Sequence, residues 1–386
     1  MRIFWATRLR GFFRHMSQKT SDVEFVETNG YYETNSLLAK IKSRIIRSRL
    51  LNPLGIFQVI STYGENCDCY GSFNRFLNVD KPYFIYLENP TALYHYTLGR
   101  IKYKCGSRRF SECLQDPNLR YIVCMSEACK NTFEKTNMLI PPHVKINTIY
   151  PFVPSNPNVT DVLIEEKSNN EFLECLYCVQ GVRFVSKGGL EVLSAYERLR
   201  NKGYKLKLTV ITKISDLDKK TKNRLYSCSG VEIHDFVFSY REMEKIYART
   251  NVLLQPSSDD SFGLTVLESM KAGCAIVASK LYAFPEMVCE NHNGYLIEPK
   301  HWFFDQNNIP NPKVWNHRKK TIYSKFEDER LVEDLFDRVS KLCMDRESLK
   351  LFSRNSFVLA NTKFGEDEIC RQWDDVWISL REDEKV

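Results

Sequence analysis

Apolar, β-branched or aromatic runs alternate along this chain with stretches of helical periodicity, and that alternation narrows the available folds most. Phe172–Val179, Leu206–Ile211, Val231–Phe236, Val252–Gln255, Ala275–Ser279 and Gly294–Ile297 read as strands. Between them, Leu190–Arg200, Arg241–Arg249 and Leu264–Ala272 carry helical patterns. Apolar runs at this spacing suit strands covered on both faces, which predicts parallel sheets with helices on either side. Val23–Val26, Ile56–Ser61, Tyr83–Leu87, Tyr121–Met125 and Val144–Tyr150 give an earlier unit of the same α/β kind. Pro151, Pro154 and Pro157 punctuate a polar stretch running to Asn170, which is linker chemistry. The expectation is two doubly wound, Rossmann-like domains with a cleft between them, at 1–152 and 171–360, joined by a linker at 153–170. A last helix is expected at 361–386, with Trp373 and Trp377 one turn apart on an apolar face that packs back on the first domain. A length of 386 residues suits two such domains.

Composition removes several classes of protein. Apolar residues at 43% are enough for packed cores and exclude a disordered chain. No stretch approaches the roughly 18 uncharged apolar residues of a membrane span. The run Ile3 to Ala6 is soon followed by Arg8, Arg10 and Arg14, too short for a secretory leader. Thirteen cysteines are scattered without disulfide-scaffold spacing. Their close pairs, Cys67-x-Cys69 and Cys175-x-x-Cys178, lack the second pair of a zinc site, and the latter sits in a strand-like run as core thiols. Asp216-x-Asp218 lies beside Lys219, Lys220 and Lys222 and reads as a solvated turn rather than a metal pair. A cytoplasmic location is expected.

Charge is unevenly placed. Residues 1–55 hold ten Lys/Arg against four acids, so +6 of the chain's +7 sits there. Leu37, Leu38, Ile41, Ile45 and Ile46 recur near helical spacing with Lys40, Lys42, Arg44, Arg47 and Arg49 interleaved. Such a segment can rest on anionic lipid at the inner face of a membrane. Nucleic acid is not expected as a partner, because the basic residues avoid the aromatic-rich segments.

The sharpest signal is the string from Ser257 to Gly273, Ser-Ser-Asp-Asp-Ser-Phe-Gly-Leu-Thr-Val-Leu-Glu-Ser-Met-Lys-Ala-Gly, which comes after a strand and opens a helix near Gly263. The first N–H groups of a helix lack internal acceptors and favour an anion, and Gly263 lets a phosphate approach. Glu268, five residues and so roughly 7.5 Å further along, is placed for hydroxyls beyond that phosphate. Asp260, in the loop before the helix, can meet a polar group on the other side. A diphosphate between two hydroxyl-binding carboxylates describes a sugar nucleotide.

The same string resembles the segment with two acids seven residues apart in family 4 of the retaining glycosyltransferases. Phe262, Gly263, Glu268, Met270, Gly273 and the strand Ala275–Ser279 fall in that family's register. Asp260 stands where the family usually has Glu, and Ser269 where it usually has Ala. Pro285-Glu286-Met287-Val288 and Asn293-Gly294-Tyr295-Leu296-Ile297-Glu298-Pro299 resemble its next landmarks. Phe184-Val185-Ser186-Lys187-Gly188-Gly189 resembles its basic loop, and Tyr121 to Glu127 the close of its first domain.

The resemblance implies a GT-B fold and sugar transfer, with retention, from a UDP- or GDP-linked donor to a hydroxyl acceptor such as a glycan or lipid-linked saccharide. It implies that Asp260 contacts the donor sugar and Glu268 the ribose. Phe262, Gly263, Leu264 and Thr265 would meet the phosphates through backbone. Lys187 would neutralise the leaving diphosphate, with Arg183 beside it. Neither metal nor cofactor is implied. Glu88 and His95, after the strand Tyr83–Leu87, are acceptor-side candidates. Two alternatives stay open: a sugar-nucleotide epimerase, or a non-enzymatic nucleic-acid- or membrane-binding module that keeps a nucleotide pocket.

Overall fold

A computed structural model describes residues 1–19, 22–27, 45–46, 48–64, 66–136 and 139–382. The basic amphipathic segment expected around residues 37–52 lies for the most part outside them. The chain divides into two compact units. Unit 1 comprises Met1–Val153, Asn307–Trp315 and Glu366–Val386; unit 2 comprises Pro154–Gln306 and Asn316–Gly365.

Unit 1 is built on a parallel sheet of β1 (Arg2–Trp5), β2 (Glu24–Glu27), β4 (Cys69–Phe73), β6 (Tyr83–Leu87), β7 (Leu119–Cys124) and β8 (Lys145–Thr148), ordered β2-β1-β4-β6-β7-β8. A separate parallel pair joins β3 (Val59–Ser61) to β5 (Phe76–Asn78). The central strands β4 and β6 are buried along their whole length. The edges β2 (Glu-Phe-Val-Glu) and β8 (Lys-Ile-Asn-Thr) carry charge, which discourages further pairing. Neither β1 nor β4 is among the expected strands. In β4 the sequence Cys-Tyr-Gly-Ser-Phe carries at its centre a glycine, a residue depleted in strands. Its Gly71 is there because a Cβ would stand 2.6 Å from the Trp5 ring.

The Glu366–Glu382 helix completes this core. Trp373 and Trp377 stack at 4.8 Å, and Trp373 meets Phe13 at 5.3 Å and Tyr86 at 5.4 Å, while Trp377 meets Phe84 at 5.3 Å.

Unit 2 holds β9 (Leu173–Cys178), β10 (Leu206–Ile211), β11 (Val231–His234), β12 (Val252–Gln255), β13 (Ala275–Ser279) and β14 (Gly294–Ile297). They form one parallel sheet ordered β11-β10-β9-β12-β13-β14. The bounds of β10, β12, β13 and β14 coincide with the expected runs, because central parallel strands are continuous apolar sequence. Cys175 and Cys178 lie buried in β9, and burial pushes both thiols up, Cys178 to about 12. Asp218 caps the Lys219–Ser227 helix, its Oδ1 accepting from the Thr221 N–H at 3.1 Å.

The stretch 153–170, expected as linker, contains a helix and falls almost wholly in unit 2. Asp161–Ser168 is capped by Thr160, whose Oγ1 accepts from the Leu163 N–H. Buried Lys167 anchors it, Nζ donating to the Thr250 and Ala272 carbonyls at 2.7 Å each. Prolines mark where the chain leaves unit 1, but the cap and this lysine make the next residues a docked helix.

Candidate active site

Strand order in unit 2 reverses between β9 and β12, so the loops leaving their carboxyl ends diverge. That divergence opens the crevice where open parallel sheets bind ligands. The loop after β9 leads to the Gly189–Asn201 helix, and the loop after β12 to the Leu264–Lys271 helix. Ser258 N–H donates to the Ser186 carbonyl at 2.9 Å, tying the two loops together. Each helix is capped by a glycine with positive φ and no side-chain cap: Gly188 at 79° and Gly263 at 89°. A Cβ on Gly188 would sit 2.6 Å from the Pro256 carbonyl oxygen, and one on Gly263 would collide with the Phe284 ring. Backbone and packing therefore require Gly263 independently of any phosphate.

Two cations project from the first loop. Lys187 N–H donates to the Arg183 carbonyl at 2.9 Å, so the two residues sit one turn apart. Arg183 Nη2 donates to Asp259 Oδ2 at 2.5 Å and to the Asp259 carbonyl at 3.0 Å. Lys187 Nζ meets Asp260 Oδ2 at 2.5 Å. Asp260 also accepts from Gln255 Nε2 at 3.3 Å and from the Ser261 N–H at 3.1 Å. Burial raises the Asp259 carboxyl, against the pull of Lys187 and Arg183. Arg183 Nε, Gln255 Oε1 and Asp259 Oδ1 are buried with no hydrogen-bond partner. Orphaned polar atoms cost about 1–3 kcal/mol each, and three in one crevice mark a place built for a polar ligand.

Glu268 lies in the body of the Leu264–Lys271 helix, where Tyr247 donates its hydroxyl to Oε2 at 2.8 Å. Burial raises this carboxyl, and the Tyr247 hydrogen bond opposes the rise. Leu264 and Thr265 are part-exposed in the first turn, whereas the Phe262 side chain is buried in the core. Arg183, Lys187, Asp260, Gly263, Leu264, Thr265 and Glu268 thus belong to one crevice and the helix that opens from it. Asp259, Gln255 and Tyr247 are additions to the expected set. Asp259 was legible as the neighbour of Asp260; Tyr247, 21 residues before Glu268, carries no local signal. Among the described residues, no group of three or more His, Cys, Asp or Glu could hold a metal ion.

Glu88 and His95 lie in unit 1. Glu88 comes directly after β6, and its Oε1 accepts the Tyr96 hydroxyl. His95 is buried, and its Nε2 accepts the Gln58 N–H at 2.9 Å, so that nitrogen holds a loop in place.

Residues 165–303 match the family Glycosyl transferases group 1. That segment contains every element of the crevice. Over 156 residues the chain is 28% identical to an uncharacterized 41.2 kDa protein in the cps region of Klebsiella pneumoniae. The match covers 35% of this chain and 41% of that protein, so the chain spans less than half the length of this curated relative. The crystal structure of Anabaena Alr3699/HepE in complex with UDP-glucose superposes with a TM-score of 0.61 at 12% identity, covering 98% of this chain and 100% of that one. WaaG, a glycosyltransferase involved in lipopolysaccharide biosynthesis, gives 0.59 at 14% identity, covering 97% and 99%. The fold is GT-B, α/β with two Rossmann-like units.

Proposed function

We propose that this chain is a retaining glycosyltransferase, of the family 4 type, that moves a sugar from a UDP- or GDP-linked donor to a hydroxyl acceptor. One observation carries the reading: at the switch crevice of the group 1 segment, Arg183 and Lys187 are held by Asp259 and Asp260 in front of the Gly263-capped helix that bears Glu268. In this reading Glu268 holds the ribose, and the backbone of Phe262 to Thr265 meets the diphosphate. As the bond from the anomeric carbon to the phosphate oxygen breaks, negative charge collects on the diphosphate. Lys187 and Arg183 stabilise that charge where it develops. The acceptor oxygen bonds to the anomeric carbon on the same face, and its proton passes to the departing diphosphate. Asp260 faces the sugar as its ring becomes cation-like.

Two cations beside a helix N-terminus supply the countercharge without a metal ion. Glu88 and His95 stand on the acceptor side, Glu88 as a hydroxyl contact and His95 as the residue that fixes its loop. The similarity to WaaG, a glycosyltransferase involved in lipopolysaccharide biosynthesis, supports an acceptor of the saccharide class. The basic segment around 37–52 supplies a peripheral seat on anionic membrane.

A calorimetric panel of UDP, GDP and their sugar conjugates tests the donor site, with and without EDTA. One nucleotide should bind with unchanged affinity in EDTA and at least about tenfold more weakly to Lys187→Ala. Binding that needs manganese, or that ignores Lys187, overturns the assignment.

A further inference from the structure

Unit 1 has its own reversal of strand order, between β1 and β4, and a second charged cluster stands at the carboxyl ends of those strands. Thr7 lies just past β1 and its Oγ1 accepts the Phe73 N–H at 2.9 Å. Phe73 ends β4, and the Arg10 guanidinium lies over its ring at 4.7 Å. Two residues on, Arg75 donates Nη1 to the Asn74 and Ala92 carbonyls at 2.5 and 2.8 Å. Its Nε is buried with no partner. Asn74 Oδ1 takes the Glu88 N–H at 3.0 Å, and Tyr96 gives its hydroxyl to Glu88.

The backbone here is strained. His95 and Tyr96 are consecutive non-glycine residues in the left-handed region, at φ 58° and 56°. Each such residue costs on the order of 1–3 kcal/mol and persists only where its surroundings fix it. Tyr96 N–H reaches the Thr91 carbonyl at 2.7 Å, and the Tyr96 ring stacks on buried Trp315 at 6.4 Å with planes 17° apart. Trp315 closes the excursion Asn307–Trp315 into unit 1, and Arg49 Nη2 holds its carbonyl at 3.1 Å. The strain is thus maintained by contacts from three separate segments.

Charge does not balance in this cluster. Glu88 is the carboxylate tied into it, and it already accepts a hydrogen bond from the Tyr96 hydroxyl. Among the described residues neither Arg10 nor Arg75 forms an ion pair. Burial and Glu88 raise the Tyr96 phenol while Arg75 and Arg10 act against them, so both guanidinium fields reach the hydroxyl. Guanidinium donors match the planar or tetrahedral oxygens of carboxylate and phosphate.

We propose that unit 1 binds an anionic group, a phosphate or a carboxylate, through Arg10 and Arg75 beside the clamped Tyr96. Given the transfer reaction inferred above, on which this attribution rests, the anion belongs to the acceptor. The 386-residue protein, saturated with whichever of UDP and GDP binds the donor crevice, is titrated calorimetrically with inorganic phosphate, with glucuronate and with neutral glucose. Saturable binding of phosphate or glucuronate, and none of glucose, is expected, and the stronger arm tells a phosphorylated acceptor from a uronic one. Arg10 is exposed, so Arg10→Gln should leave the melting temperature unchanged while weakening the anion about tenfold. Lys187→Ala, titrated without nucleotide, should keep anion binding; this arm stands even if neither nucleotide binds. Absence of saturable anion binding, or an affinity unmoved by Arg10→Gln, overturns the proposal.

Discussion

Asp260 accepts from Lys187, Gln255 and its own neighbour Ser261. In the proposed transfer, a carboxylate held that way would do two things: face the donor sugar and neutralise the cation proposed to meet the diphosphate. Asp260→Asn separates them. Turnover should fall at least about a hundredfold, while UDP binds as tightly as to wild type or tighter, because Lys187 has lost its counter-ion. Turnover and calorimetry on one preparation decide it, and wild-type kcat would remove Asp260 from the sugar. Glu268 makes a prediction about pH. Its folded carboxyl is raised, so its contribution to stability is whole below the ordinary glutamate range and is lost as pH rises through the folded value. Glu268→Gln cannot ionise and escapes that loss. Melting curves should show the variant above wild type at pH 7–8 with the gap closing towards pH 4, while its UDP affinity falls about tenfold. At this scale the sequence was readable where residues lie in one string, from Asp260 to Glu268. It was silent on Tyr247 and Gln255, whose contacts to Glu268 and Asp260 exist only after β12 has paired and the helices have docked.

Among the elements, the Asp161–Ser168 helix is anchored by a buried charge. Lys167 is 3% exposed and supplies donors to two carbonyls at the far ends of the loops around β12 and the Leu264–Lys271 helix. Burial lowers its ammonium, so the charge is tolerated only because those carbonyls surround it. Lys167→Met keeps the bulk and abandons both acceptors. The expected cost is about 2–4 kcal/mol in urea unfolding, with UDP affinity retained in the folded fraction. A polar, proline-punctuated stretch gives little hint of such a helix, because its anchor is a charged residue that composition assigns to the surface. The converse holds for β4, which is not among the strands expected from the sequence. Gly71 is in a central strand because Trp5 fills the space above it. Long apolar runs such as β12 and β13 needed no tertiary knowledge.

At the level of the molecule, unit 1 is assembled from three pieces of chain, and the last, Glu366–Glu382, closes its aromatic core. Trp373 and Trp377, 1% and 2% exposed, remove on the order of 400 Å² of apolar surface from water, an upper estimate of about 10 kcal/mol. That is comparable with the whole stability of a domain. A chain ending at Gly365 should therefore be aggregated or should bind a hydrophobic dye with its near-ultraviolet dichroism lost; a soluble, cooperatively melting product would contradict this. The order of synthesis gives the same feature a further consequence. Val153 leaves the ribosome roughly two hundred residues before Glu366, a delay of about 10–40 s at 5–20 residues per second. Through that interval the rings of Phe13, Phe84 and Tyr86 lack their indole cover, and by its end the whole of unit 2, which closes at Gly365, has been made. The second unit to be translated is thus the first able to finish folding, and the nascent first unit is the natural client of any holding chaperone at the exit tunnel.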